Sequence, residues 1–216
     1  MNTSSANLIK SNLPVGLVWL FHVSGLIGIF LGMSEWFLEK TPLNLLACFL
    51  LLVGIWPLRQ FKHAIIVYLF FVAGIFVEWL GVHYGFPFGN YHYGNNLGLK
   101  LNGVPLLIGI NWAMLVLITG SISSRFGKSK LSKVLLGATL MLFLDFFIEP
   151  NAARLDFWYW EGGHIPLSNY IGWFVTGALL HWIFQESIKQ LNFTFSLNLY
   201  IAQLIFFIAL YVQSLF

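Results

Sequence analysis

Long apolar runs dominate the chain, separated by short polar connections. Seven runs stand out, at about 14–34, 43–58, 64–82, 105–123, 131–150, 168–187 and 197–215. Each is near the ~20 residues that an α-helix needs to cross a bilayer core. The pattern predicts an all-α integral membrane protein, a bundle of about seven transmembrane helices making one domain over residues 1–216. The second run is the shortest and ends at Trp56-Pro57. No small-x-small cleavage site follows the first run, so it is expected to be retained as a span rather than removed as a signal peptide.

Composition narrows the class. Of 216 residues, 58% are hydrophobic and 9% charged, against the roughly 25% charge of a soluble domain. Little chain is left for a separate soluble domain, and the lipid bilayer is the expected surrounding. The net charge of +3 is no nucleic-acid footprint, because the basic residues sit in short connections between spans. Cys48 is the only cysteine, which excludes an intrachain disulfide and a thiolate metal cluster.

Charge also orients the bundle. With seven spans the termini fall on opposite sides. Lys10, Arg59, Lys62, Arg125, Lys128, Lys130, Lys133 and Lys189 share the N-terminal side, and only Lys40, Lys100 and Arg154 the other. Eight against three places the N-terminus in the cytoplasm of a multi-pass protein of the cell membrane. Seven of the acids then gather at the opposite face, as do the two longest connections, 83–104 and 151–167. Only Glu186 lies at the cytoplasmic face.

Three of those acids sit inside or at the edge of apolar runs: Glu78, Asp145 and Glu149. A carboxyl at the centre of a membrane helix costs roughly 2.5–3.5 kcal/mol on insertion scales, so its presence points to a use. Asp145 and Glu149 are four apart and share one helix face. Pro150 is expected to end that helix at Glu149. Two carboxyls this close in a low dielectric cannot both ionise easily, so one is expected to hold a proton at neutral pH. A protonated acid in an apolar pocket is the reagent that protonates an electron-rich alkene. The structural alternative is a salt bridge to Arg154, or an acid hydrogen-bonded to a neighbouring helix.

Aromatic residues crowd these acids: Trp79, Tyr84, Tyr91, Trp112, Trp158, Trp160 and Trp173. Part of this is the ordinary interfacial belt. Aromatic faces also stabilise a passing cation without capturing it. Asn111 and Asn169 are candidates for positioning a water or hydroxyl, and Asp156 is the next carboxyl nearby. His83, His92 and His164 lie in the same connections, but their spacing matches no zinc or di-iron pattern. His22 and His181 are read as interhelical hydrogen-bonders. The chain carries no phosphate loop, no dinucleotide-binding glycine motif and no Asp-x-x-x-Asp run.

A faint internal echo accompanies the acids. Phe76-Val77-Glu78 and Phe147-Ile148-Glu149 each precede an aromatic connection. The next spans open Val104-Pro105-Leu106 with Trp112, and Ile165-Pro166-Leu167 with Trp173. A parallel repeat about an axis along the membrane normal would produce this.

Two blocks carry a family resemblance. The first is Glu78, Gly85-x-x-x-Gly89-Asn90-Tyr91-x-Tyr93 and Pro105. The second is Asp145-x-x-x-Glu149-Pro150-x-Ala152, Phe157-Trp158-x-Trp160 and Ile165-Pro166-Leu167-Ser168-Asn169-x-x-Gly172-Trp173. Over roughly residues 64–187 the chain resembles the membrane-integral carotenoid hydratases, of the bisanhydrobacterioruberin hydratase and γ-carotene or lycopene 1,2-hydratase type. The resemblance implies addition of water to the terminal trisubstituted double bond of an acyclic or monocyclic carotenoid (γ-carotene, lycopene or a C50 precursor), giving a tertiary alcohol with no redox cofactor. On that reading Asp145 or Glu149 is the proton donor and Glu78 its partner or the base that orients water. Two other readings remain open: a membrane lycopene cyclase, which begins with the same protonation, and a transporter or carotenoid-binding protein whose acids relay protons.

Orientation is testable directly. A cysteine introduced at Asn95 should be labelled by an impermeant reagent from outside the cell, and one at Ser129 should not. The reverse pattern would invert the assignment.

Overall fold

The computed structural model describes residues 3–56, 61–188 and 191–216. Helices make up most of it: α1 (Thr3–Phe30), a short α2 (Ser34–Leu38), α3 (Thr41–Ile55), α4 (Phe61–Tyr84), α5 (Leu106–Phe126), α6 (Lys130–Ala152), α7 (Leu167–Ser187) and α8 (Phe193–Gln213). Among the described residues six stretches are long and apolar enough to cross a membrane, α2 and α3 counting as one. Helix α7 has the same 21 residues as α5 but falls short in hydropathy, because it carries Ser168, Asn169, His181, Gln185 and Glu186. The protein is an all-α integral membrane bundle. Arg59 and Lys189 of the basic set, and positions 57–58 at the end of the second run, lie outside the described residues.

The helix ends have local causes. Gly32 takes φ +85° and Met33 N–H returns to Gly28 C=O at 2.9 Å, a left-handed stop that glycine favours. Ser129 caps α6: its side chain accepts from Ser132 N–H at 3.1 Å, while Ser132 Oγ accepts from Ser129 N–H at 2.9 Å. This reciprocal pair satisfies two otherwise orphan donors. Asn192 accepts from Phe195 N–H at 3.0 Å and starts α8.

One boundary departs from the sequence reading. Helix α6 does not stop at Glu149 but continues through Pro150 to Ala152. Proline in the last turn removes only one hydrogen bond. Asn151 ties that turn down, its Nδ2 donating to Phe147 C=O at 2.9 Å and to Phe207 C=O of α8 at 3.1 Å. Nor does Arg154 pair with the acids: its guanidinium donates to Asn151 Oδ1 and Leu210 C=O.

Helix α5 is the centre of the bundle, packed against α3, α4, α6, α7 and α8. Its sequence is apolar on all sides, as burial all round requires, and Trp112 through Ser123 are buried without a break. Small residues let neighbours approach. A Cβ on Gly120 would lie 2.8 Å from the Phe184 ring of α7. His181 links α7 to α5 through Thr119 Oγ1 at 2.8 Å. His22 instead bonds its own helix at Val18 C=O.

The long connections contain short sheets that helix periodicity does not announce. Strands β1 (Tyr91–Tyr93) and β4 (Trp158–Trp160) pair antiparallel, Tyr91 opposite Trp160 and Tyr93 opposite Trp158. Strands β2 (Lys100–Leu101) and β3 (Val104–Pro105) form a hairpin. Its turn is Asn102-Gly103, both at positive φ, the signature of a two-residue hairpin loop.

The α5–α7 contact gives a stability test. Gly120→Val should lower the thermal midpoint in detergent, with an overpacking cost of about 1–3 kcal/mol. Gly54→Ala, whose Cβ would meet nothing within 4 Å, should leave the midpoint unchanged or slightly raised.

Candidate active site

Three carboxyls come together at the end of the bundle from which the long connections spring. Helix α4 supplies Glu78; α6 supplies Asp145 and Glu149 on one face. They are 3%, 1% and 4% exposed. Burying carboxyls this deeply demands donors, because an unpaired polar group in an apolar medium is costly.

The donors come from the sheet and the adjoining helices. Glu78 Oε2 accepts from the hydroxyls of Tyr91 and, at 2.6 Å, Tyr93; Oε1 accepts from Trp112 Nε1 at 2.8 Å. Glu149 is held in the same manner. Its Oε2 accepts from Trp160 Nε1 at 2.8 Å and Trp158 Nε1 at 3.2 Å, and its Oε1 from Asn169 Nδ2 at 2.6 Å. Asp145 differs. Oδ2 accepts from Asn169 at 3.3 Å, while Oδ1 is buried with no partner. Asn169 therefore bridges the two acids of α6, and its amide can serve either as donor or, turned over, as acceptor for a proton-bearing oxygen.

Strand geometry makes this possible. Side chains alternate across a strand, so Tyr91 and Tyr93 point to one side and His92 to the other. Trp158 and Trp160 do likewise, with Tyr159 stacked on His92 at 5.4 Å. On a helix, residues two apart would diverge. The pairing thus aims two phenols at Glu78 and two indoles at Glu149. Burial first, and then the Glu78 charge, hold the Tyr91 and Tyr93 phenols well above the ordinary tyrosine value, so both remain donors.

Other contacts brace the sheet. Gly94 N–H donates to Phe157 C=O at 2.8 Å, and Glu161 N–H to Asn90 C=O at 3.0 Å. Asp156, at φ +53°, accepts from Asn95 N–H and the Tyr159 hydroxyl, both at 2.9 Å. Beneath lies a stack of Trp112 on Trp173, centroids 4.2 Å apart and planes within 12°, with Phe88 against both. Gly74 leaves room for Trp112: a Cβ there would lie 2.7 Å from its Cγ. The two tryptophans follow Pro105 and Pro166 at equal spacing. The two tryptophans of the sequence echo thus stack on each other.

Most of the sequence candidates meet here: Glu78, Asp145, Glu149, Tyr91, Trp112, Trp158, Trp160, Asn169 and Trp173. Three do not. Trp79 is the next residue round the helix from Glu78 and packs on His83 and Tyr84. Tyr84 is 68% exposed at the helix end. Asp156 latches the two connections together rather than facing the acids. Asn111 lines a second, larger cavity. Tyr93, Phe88 and Ile108 escaped the sequence reading as site residues. The aromatic-x-aromatic pattern shared by 91–93 and 158–160 is the signal that marks Tyr93; Phe88 and Ile108 carry none. The loop histidines stand apart from one another: His83 on Trp79 C=O, His92 on Tyr159, His164 on Gly162 C=O.

The phenols give a spectroscopic test. Tyr91→Phe and Tyr93→Phe should leave the phenolate absorbance unchanged in a titration to about one unit above the ordinary value of ~10, because neither hydroxyl ionises there. Loss of amplitude in either variant would mean that the phenol is accessible to solvent.

A family described as "Carotenoid biosynthesis protein" matches residues 40–216. Bisanhydrobacterioruberin hydratase of Haloarcula japonica is 31% identical over 140 residues, covering 60% of this chain and 47% of that protein. The chain therefore matches about half the length of this relative. No solved structure matches. With a match that takes in α3 to α8 and every acid, tyrosine and tryptophan of the site, the chain belongs to the carotenoid biosynthesis protein family.

Proposed function

We propose that the protein is a carotenoid hydratase of the cell membrane, adding water to the terminal trisubstituted double bond of an acyclic carotenoid end by acid catalysis. The observation that carries this reading is the convergence of Asp145, Glu149 and Glu78 inside an aromatic box, with one carboxyl oxygen, Asp145 Oδ1, left without a partner. The name of the Haloarcula relative supports the same reaction class.

The groups divide the work. Glu78 and Glu149 each collect three N–H or O–H donors, the pattern of ionised acceptors. Asp145 has an oxygen free to carry a proton, and Asn169 connects it to Glu149. Glu149 borders the small cavity of about 10 Å³ between the acids and Asp145 does not, so Glu149 hands the proton to the alkene and Asp145, one turn earlier on the same helix face, resupplies it. Proton transfer to the less substituted alkene carbon consumes the π pair and leaves a tertiary cation. The indole faces of Trp158, Trp160 and Trp173 stabilise it. A water oxygen then bonds to the cationic carbon and gives its extra proton back to a carboxylate, with Glu78 orienting the water. One water is added and the acid set is restored.

Water-sized space beside the acids favours capture by water over capture by an internal alkene, as a cyclase would require. Asp145→Asn and Glu149→Gln retain shape but not the transferable proton. In a lycopene- or γ-carotene-producing host each should cut product by at least ~10²-fold, the usual contribution of a positioned acid. The wild-type product should be heavier by one water and carry ¹⁸O from labelled water. A ring-containing product of unchanged mass would indicate a cyclase, and full activity in both variants would remove the acids from the mechanism.

A further inference from the structure

Two cavities lie side by side near the acids. One encloses about 280 Å³ among α1, α2, α3, α5, α6 and α8. Its lining is chiefly hydrocarbon and aromatic, including Ile29, Phe37, Leu45 and Phe207. The other is the space of about 10 Å³ bordered by Glu78 and Glu149. Ile108 and Trp158 line both cavities, so they are the partition. Helix α6 serves each side in turn. Leu144 and Ile148 face the large cavity, and Glu149, one residue further round, faces the small one.

The sizes differ in kind. About 10–15 Å³ is the room one water occupies, whereas small-molecule pockets begin near 300 Å³. A branched hydrocarbon end cannot enter the acid cavity as it stands, and the large cavity matches it in both volume and polarity. We propose that the apolar cavity bounded by α1, α3 and α8 seats the hydrocarbon end of the carotenoid, that the small cavity holds the water to be added, and that Ile108 and Trp158 govern where the two meet. This rests on the hydratase reading and specifies its substrate site.

The partition has one fixed and one movable part. Trp158 is tied to Glu149 through its indole N–H and to Tyr91–Tyr93 through the sheet. Ile108 has a purely apolar side chain, held only by packing, and a rotamer change there opens the alkene to the acids. The seat also has a wall outside the family match, which starts at residue 40. Phe21, His22, Gly25 and Ile29 of α1 and Trp36 and Phe37 of α2 all line it. These two helices therefore set which carotenoid end fits.

Binding and turnover are tested separately. The full chain carrying Glu149→Gln, expected to turn over at least ~10²-fold more slowly, is purified with lycopene, and retained pigment is measured by absorbance. Adding Ala47→Phe, which fills the seat from α3, should reduce retention by roughly tenfold or more, the order that 1.4 kcal/mol of lost contact produces. Leu46→Phe, on the exposed side of α3, should not. Phe207→Ala enlarges the seat and should also weaken retention, which covers the case in which Ala47→Phe fails to fold. Ile108→Phe in the otherwise native chain should keep pigment bound while lowering kcat at least ~10-fold, with KM little changed. Undiminished retention in folded Ala47→Phe or in Phe207→Ala would overturn the seat. Unchanged kcat in Ile108→Phe would overturn the partition. Should the wild type add no water, the retention assay still reads the seat, because it does not depend on turnover.

Discussion

A carboxyl buried among hydrocarbon must be given hydrogen-bond donors, and that requirement organises this structure. Glu78 and Glu149 draw six donor contacts between them, from Tyr91, Tyr93, Trp112, Trp158, Trp160 and Asn169. None of these donors belongs to the helix of the acid it serves. Each acid therefore pulls a connection and a neighbouring helix into register. The β1–β4 pair, the Trp112–Trp173 stack and the glycines that admit them all serve the same end. Leaving out Trp112 or Asn169, each the one donor to its carboxyl oxygen, would strand a buried oxygen, at a cost of roughly 1–3 kcal/mol.

The same donors decide what the acids can do. Hydrogen bonds to an ionised oxygen stabilise it without donating a proton. Two acids so held, beside a third with an unpartnered oxygen, make an asymmetric set. Asn169 donates to both acids of α6 and ties them together. Rings on several sides of the acids supply polarisable faces rather than nucleophiles.

The two aromatic connections meet face to face. Antiparallel pairing of β1 with β4 relates the two aromatic connections by an approximate twofold, with His92 stacked on Tyr159 at its centre. The halves are not equal. Phenols serve Glu78 and indoles serve Glu149, and only the second half carries another acid one turn earlier. The strand pair thus brings two aromatic connections to neighbouring acids, while their sequences give those acids different donors.

Much was determined by sequence alone. Apolar runs of spanning length, only eight acidic residues, and carboxyls placed inside those runs follow from transfer free energies, which depend on residue type and not on neighbours. Asp145 and Glu149 shared a face because helix periodicity is local. Tertiary structure decided the rest. Whether Trp79 or Tyr93 faces Glu78 depends on where a distant connection returns, and the return is set by pairing across about sixty-five residues of intervening chain. Pro150 stays helical because Asn151 finds a carbonyl on α8. Asp156, a carboxylate by composition, became a latch because its partners are Asn95 and Tyr159. The two cavities and the Ile108–Trp158 partition arise only where several helices meet, and no local pattern in the chain encodes an enclosed space.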